Sequence, residues 1–275
     1  MAERSPTRIA ARLVDEQLRR VSARGTKTIV RRYGRQLGMW QGCGYPKSGT
    51  VWLCQLLGSY LELPYPRHYR TPIAMASVVH AHWLPFPQLP PTVYIVRDGR
   101  DVMLSLYHYE ARLARSTRNP SAARKRNERF SRVLGPRADL RDVSANLPRF
   151  VESQLEDPSW VEAPWPQHVQ AWLDVSADAV AVVRYEDLLE DVSRGLGPAL
   201  ERLSGPVDHE ALKVAASRFG FERQQARVGG TVEQRQFLKR GKAGQWQQYF
   251  DGEARRIFDQ AASSVLRQLG YEPCG

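Results

Sequence analysis

The sequence predicts an α/β fold: a single domain on a central, mainly parallel β-sheet, flanked by helices on both faces and carrying a P-loop-like anion-binding loop. Three observations carry this. β-Prone apolar runs alternate with helical periodicities along the chain, the order that wraps a parallel sheet in helices. Thr92–Val96 is a continuous apolar run rather than an alternating one, as expected of a strand covered on both faces. A glycine-bearing loop joins the first strand to the helix after it, where phosphate sites are built.

Residues 1–36 are basic and weakly periodic, with Ile9, Leu13, Val14, Leu18 and Val21 at roughly helical spacing; they predict an amphipathic helical segment packed on the domain. The domain itself runs over residues 37–275. Leu37–Gly44 reads as a buried strand entering a tight loop at Tyr45-Pro46. From Thr50, the positions Val51, Trp52, Leu53, Leu56, Leu57, Tyr60 and Leu61 repeat at helical spacing. Tyr65–Pro91 is proline-rich and reads as loop. Thr92–Val96 follows as the central strand, and Gly99 and Asp101 open a helix through Val102, Leu104, Leu106 and Tyr109. A tryptophan-bearing helix over Trp165–Leu173 precedes a third strand, Ala179–Val183. Residues 208–219 and 253–269 are helical, the second stopped by Gly270 and Pro273. No internal repeat or second domain is evident.

With 275 residues, 42% apolar and 25% charged, the chain can bury a sizeable core. No stretch approaches the ~20 apolar residues of a membrane span, and the first twenty residues form no hydrophobic leader, so a soluble protein without a secretion signal is expected. Cys43, Cys54 and Cys274 have no paired spacing, which suggests neither a disulfide framework nor a zinc site and fits a reducing cytoplasm. The formal charge of +11 favours anionic partners of any kind. Its distribution is uneven: the insertion-like segment 112–141 holds ten Arg/Lys against Glu128 and Asp139, so it accounts for eight of the eleven excess charges. Such a run reads either as a solvated face or as a lid facing phosphate or an acidic acceptor.

The loop Gly44-Tyr45-Pro46-Lys47-Ser48-Gly49-Thr50 offers backbone N–H groups at a helix start, one lysine cation and two hydroxyls, a set suited to phosphate or sulfate. Gly44 and Gly49 have the spacing of a Walker A loop, but Thr50 stands where that loop needs lysine. Tyr45-Pro46-Lys47-Ser48-Gly49-Thr50-Val51-Trp52 resembles the phosphosulfate-binding signature of sulfotransferases that use 3′-phosphoadenosine 5′-phosphosulfate (PAPS). Val51 replaces the usual second threonine; its backbone N–H can still serve the anion.

The resemblance extends over most of the chain. It implies that Arg97, leaving the central strand, and Ser105, eight residues on, grip the 3′-phosphate. Arg100 and Asp101 read as an exposed pair that stabilises the helix start. Phe237–Trp246 is similar to the family's Arg-Lys-Gly-x-x-Gly-Asp-Trp loop, which assigns Lys239, Arg240 and Gly241 to the cosubstrate, with Lys239 and Arg240 exchanged in order and Gln245 in place of the acidic residue. Arg184-Tyr185-Glu186-Asp187-Leu188 matches the element whose tyrosine approaches the adenine; Trp52 and, more loosely, Phe221 are the other adenine neighbours.

For the reaction, the resemblance implies Lys47 on the leaving-group side, Ser48 tuning it, and Ser105 in the same centre. The family's Lys-Thr-His stretch falls on His80-Ala81-His82 and selects His82 as the base, with His80 as the alternative. Histidine suits the task because its neutral form accepts a proton at working pH. A metal held by His80 and His82 lacks a recognisable third ligand. His168 reads as a packing residue and His108 as a helix residue. The implied function is sulfuryl transfer from PAPS to a hydroxyl or amine, releasing adenosine 3′,5′-bisphosphate (PAP), without metal. The acceptor class is open among small molecules, glycans and lipid-linked compounds. Nucleic acid is not expected, since Phe130 alone among residues 112–141 is aromatic. The oligomeric state is open, a homodimer included. The rivals are a P-loop kinase or ATPase and a non-catalytic nucleotide-binding relative.

Overall fold

The computed structural model describes residues 6–67, 69–117, 120–159, 161–175, 178–220 and 243–272. Four parallel strands, β1 (Trp40–Gly44), β2 (Val78–Ala81), β3 (Thr92–Val96) and β4 (Val180–Arg184), form one sheet in the order β2-β1-β3-β4. Among the described residues the α-helices are α1 (Pro6–Tyr33), α2 (Thr50–Tyr60), α3 (Gly99–Ala114), α4 (Pro120–Leu134), α5 (Val143–Glu156), α6 (Trp165–Leu173), α7 (Tyr185–Glu190), α8 (Val192–Ser204), α9 (His209–Phe219) and α10 (Gly252–Gln268).

Successive strand residues point to opposite faces, and the core divides accordingly. Cys43, Tyr94, Val96 and Val180 pack with residues of α3, α5, α6 and α10. Val93, Ile95, Ala181 and Val183 pack with α2 and α8. The helices after β1 and β3 thus lie on opposite faces, so the chain leaves these neighbouring strands in opposite directions. That is the switch point of a doubly wound sheet, where a crevice opens outside the strand ends. Gly44 permits the approach of the two strands there: a Cβ on it would lie 2.6 Å from the Ile95 carbonyl oxygen.

Local chemistry sets the helix starts. Asp98, Asp142, Asp191, Asp208 and Asp251 each cap the helix that follows by accepting a backbone N–H, a contact whose loss typically costs about 1 kcal/mol. Among the described residues no helix is long and apolar enough to cross a membrane.

Three expectations need correction. Tyr65–Pro91 is not loop throughout: Val78–Ala81 forms edge strand β2, too short to stand out among prolines. On α1, Val14, Leu18 and Val21 are exposed, while Ser22, Thr26 and Val30 face inward. Polar groups win there because Thr26 Oγ1 accepts the Ile73 N–H at 3.0 Å. Arg100 and Asp101 are not an exposed pair but are 2% and 1% exposed. The basic segment is largely helix α4, which buries Ala123, Phe130 and Leu134.

Gly99, the first residue of α3, sits against fully buried rings: an added Cβ would lie 2.3 Å from Phe258 Cζ and 2.8 Å from Trp165 Cδ2. Overpacking of this kind costs about 1–3 kcal/mol. Gly99→Ala is therefore expected to lower the unfolding free energy from urea titration by that amount, whereas an unchanged free energy would show that the α3 start is not pinned between Phe258 and Trp165.

Candidate active site

Both ends of the crevice carry cations and hydroxyls. After β1 the chain turns through residues 45–49, with Lys47 at φ 76° and Gly49 at φ 99°, both left-handed. Gly49 is required twice over, since a Cβ there would also lie 2.7 Å from Tyr185 Cδ2. The turn presents the first N–H groups of α2, those of Thr50, Val51 and Trp52, which have no acceptor within the helix. Ser48 Oγ and Thr50 Oγ1 are buried and have no hydrogen-bond partner among the described residues. Tyr45 and Pro46 are buried at the base of the turn, Tyr45 edge-on to His168 with ring centroids 5.4 Å apart. Buried hydroxyls without partners, a helix start and a lysine fit a tetrahedral anion such as the phosphosulfate group.

After β3, Arg97 spans the crevice. Its Nη1 donates to the Lys47 carbonyl at 3.5 Å, its Nη2 lies 3.5 Å from Asp101 Oδ2, and its guanidinium sits 4.6 Å over the Tyr185 ring. Arg97 Nε is buried without a partner among the described residues. Ser105, two turns into α3, is buried as well. Asp101 also accepts the N–H groups of Gly244 and Trp246 at 2.9 and 3.0 Å, tying the end of the C-terminal loop to the arginine. Phe221, Lys239, Arg240 and Gly241 lie outside the described residues.

The Tyr185 ring stands edge-on to Trp52 at 5.8 Å, and Trp52 Nε1 donates to the Phe219 carbonyl at 2.7 Å. Glu186 braces the element by accepting the Asp98 N–H at 3.3 Å and the Tyr271 hydroxyl at 2.5 Å; burial pushes its carboxyl up from the usual range. Arg100 is held by Asp98 through Nε at 3.0 Å and Nη2 at 2.8 Å, and lies 3.9 Å over Trp246.

His82 joins the two strands. Its Nδ1 is 2.6 Å from the Gly44 carbonyl oxygen, which can only accept, so Nδ1 carries the proton and Nε2 the lone pair. His80 is its edge-on neighbour with ring centroids 4.6 Å apart. His168 is more than the packing residue expected. It is fully buried, its Nε2 lies 3.2 Å from the His82 carbonyl oxygen, and its Nδ1 faces the Tyr94 hydroxyl at 3.0 Å. Trp172 Nε1 donates to the next carbonyl, that of Trp83, at 3.0 Å. No local pattern marks this contact, because 86 residues separate the two histidines.

Burial pulls His82 down to about 4, assisted by the Lys47 charge and opposed by the Gly44 hydrogen bond. Burial likewise pulls Lys47 down to about 8, assisted by Arg112 and Arg97 and opposed by Glu110. Lysine is thus a cation and histidine a neutral acceptor between those values. Among the described residues no group of three or more His, Cys, Asp or Glu side chains could hold a metal ion.

The two histidines are expected to be opposite tautomers at neutral pH: His82 protonated at Nδ1, His168 at Nε2. Long-range ¹H–¹⁵N correlation spectra read this directly. A His82 ring protonated at Nε2 would contradict the Gly44 contact.

Residues 89–270, about two thirds of the chain, match the family model described as the sulfotransferase domain. The match takes in Arg97, Ser105 and Tyr185 and begins beyond Lys47 and His82. Sulfotransferase 2B1 of Homo sapiens is 24% identical over 267 residues, covering 83% of this chain and 66% of the relative, just under two thirds of its length. Sulfotransferase 1A1 of Bos taurus is 22% identical, covering 78% of this chain and 79% of the relative. Among solved structures, mouse sulfotransferase SULT7A1 complexed with PAP is similar at a TM-score of 0.60 and 19% identity, with 90% of both chains covered. Retinol dehydratase in complex with androsterone and PAP is similar at a TM-score of 0.55 and 17% identity, covering 89% of this chain and 86% of that one. The structural likenesses establish a shared α/β fold, and on the domain match the chain belongs to the sulfotransferase family.

Proposed function

We propose that this chain transfers a sulfuryl group from PAPS to a hydroxyl or amine acceptor and releases PAP. The observation that carries the reading is that His82, bonded to Gly44, and Lys47, in the turn that follows Gly44, are both placed at the end of β1, beside buried hydroxyls and an arginine that no described carboxylate fully occupies. The donor supplies a sulfur whose bond to a phosphate oxygen breaks as the acceptor atom bonds to it.

Around that exchange each residue has a task. His82 Nε2 takes the acceptor proton, its ring held by Gly44 and its backbone by His168. Lys47 places its charge where the phosphate oxygen gains an electron pair. Ser48, Thr50 and the N–H of Val51 cradle the phosphosulfate. Arg97 and Ser105 hold the 3′-phosphate, Arg97 by a planar fork already oriented over Tyr185. Trp52 and Tyr185 offer flat faces to the adenine. The family resemblance would add Lys239, Arg240 and Gly241 to the 3′-phosphate contacts and Phe221 to the adenine neighbours, all outside the described residues. A cytoplasmic setting fits the buried free thiols of Cys43 and Cys54.

The pH dependence follows with a definite sign. The Lys47 cation is lost as pH rises through about 8, and neutral His82 is lost as pH falls through about 4. The kcat/KM for PAPS should therefore be flat between these values and fall on both sides. His82→Ala should lower kcat by about 10²–10⁴-fold and remove the acid limb. Activity that keeps climbing above pH 9, or an acid limb that survives in His82→Ala, would rule out this assignment of roles.

A further inference from the structure

We infer that the acceptor carries an anionic group, a carboxylate, sulfate or phosphate, and that Arg112 receives it. The inference rests on the sulfotransferase reading and names the acceptor class that reading leaves open.

Tyr109 links two cations. Its ring has Lys47 Nζ 4.4 Å from its centroid and Arg112 Cζ 5.3 Å from it, so one aromatic ring mounts both the transfer lysine and a second cation. Tyr109 and Arg112 are three residues apart on α3 and share a helix face. Arg112 is exposed and forms no ion pair with a described carboxylate. Glu110, two residues before it on α3, is buried and engaged by Arg126 at 3.2 Å. Once Lys47 is occupied by the leaving phosphate, the guanidinium of Arg112 remains exposed on the other side of the Tyr109 contact, without a counter-charge among the described residues.

A merely solvated face has a different form. Lys125 and Arg132 of α4 show it: both are exposed and neither is held over a ring among the described residues. A nucleic-acid surface is disfavoured, because Phe130, the aromatic residue of the basic segment, is buried and offers no stacking platform. Just past the end of α3 an open trough of about 720 Å³ is lined by Ser116, Thr117, Arg124, Asn127 and Ser131, among others. Its lining also includes apolar Pro120 and Ala123 and the acidic Glu128, 3.7 Å from Arg124, so the trough offers room for the body of an extended acceptor rather than further positive charge.

The test uses two charge-matched pairs: a uronic-acid oligosaccharide against its carboxyl-reduced form, and 4-hydroxyphenylacetate against 2-(4-hydroxyphenyl)ethanol. For each pair, sulfuryl transfer from PAPS gives a kcat/KM ratio, and calorimetry with the PAP complex gives a ratio of Kd. The acid member of at least one pair is expected to be favoured about tenfold, the scale of one hydrogen bond to a charged group. Arg112→Gln should bring that ratio near one, and Arg112→Lys should retain part of it. Ratios at or below one in both pairs, or a preference that survives Arg112→Gln in a variant of normal melting temperature, overturn the inference. Failure of the wild type to bind PAP overturns the sulfotransferase reading instead, so the two failures are told apart.

Discussion

The hydrogen bond from His82 Nδ1 to the Gly44 carbonyl is short, 2.6 Å, and ties two chain segments that must act together. Gly44 is the last residue of β1 and the root of the anion loop, while His82 follows β2 on the neighbouring strand. The contact sets the histidine tautomer and the position of its lone pair relative to Lys47. It depends on parallel pairing of β1 with β2, and on a residue at 44 small enough to admit Ile95. His82 is therefore placed by the sheet rather than by a flexible loop. His168 and Trp172 reinforce this from α6, by holding the carbonyls of His82 and Trp83.

Asp101 plays the corresponding part on the other side of the crevice. It is buried, and burial raises its carboxyl above the ordinary range even with Arg97 and two backbone N–H groups beside it. One carboxylate thus orients Arg97 and fastens the Gly244–Trp246 end of the C-terminal loop, so the two segments share one anchor. Such a group is costly to bury without its partners.

The parts of this arrangement that are local in sequence were legible there. The order of strand, anion loop and helix is written in consecutive residues, and so are the Arg97-to-Ser105 spacing and the Trp165–Leu173 helix. What escaped depends on contacts between distant segments. Nothing near His168 announces that it holds the His82 backbone, and nothing near Arg100 and Asp101 announces that residues 244–272 cover them. β2 was hidden by its four-residue length among prolines. The α1 stripe misled because Ser22 and Thr26 are buried in a segment whose apolar residues stay outside.

Whether Lys47 and His82 serve one sulfuryl transfer is read by the movement of ³⁵S from labelled PAPS to an acceptor, measured across a panel of phenols, alcohols, amines and acidic and neutral oligosaccharides. The wild type is expected to label at least one acceptor, with stoichiometric PAP release, and Lys47→Ala none above background. Transfer that persists in Lys47→Ala, or a wild type that labels no acceptor better than that variant, would contradict that shared role.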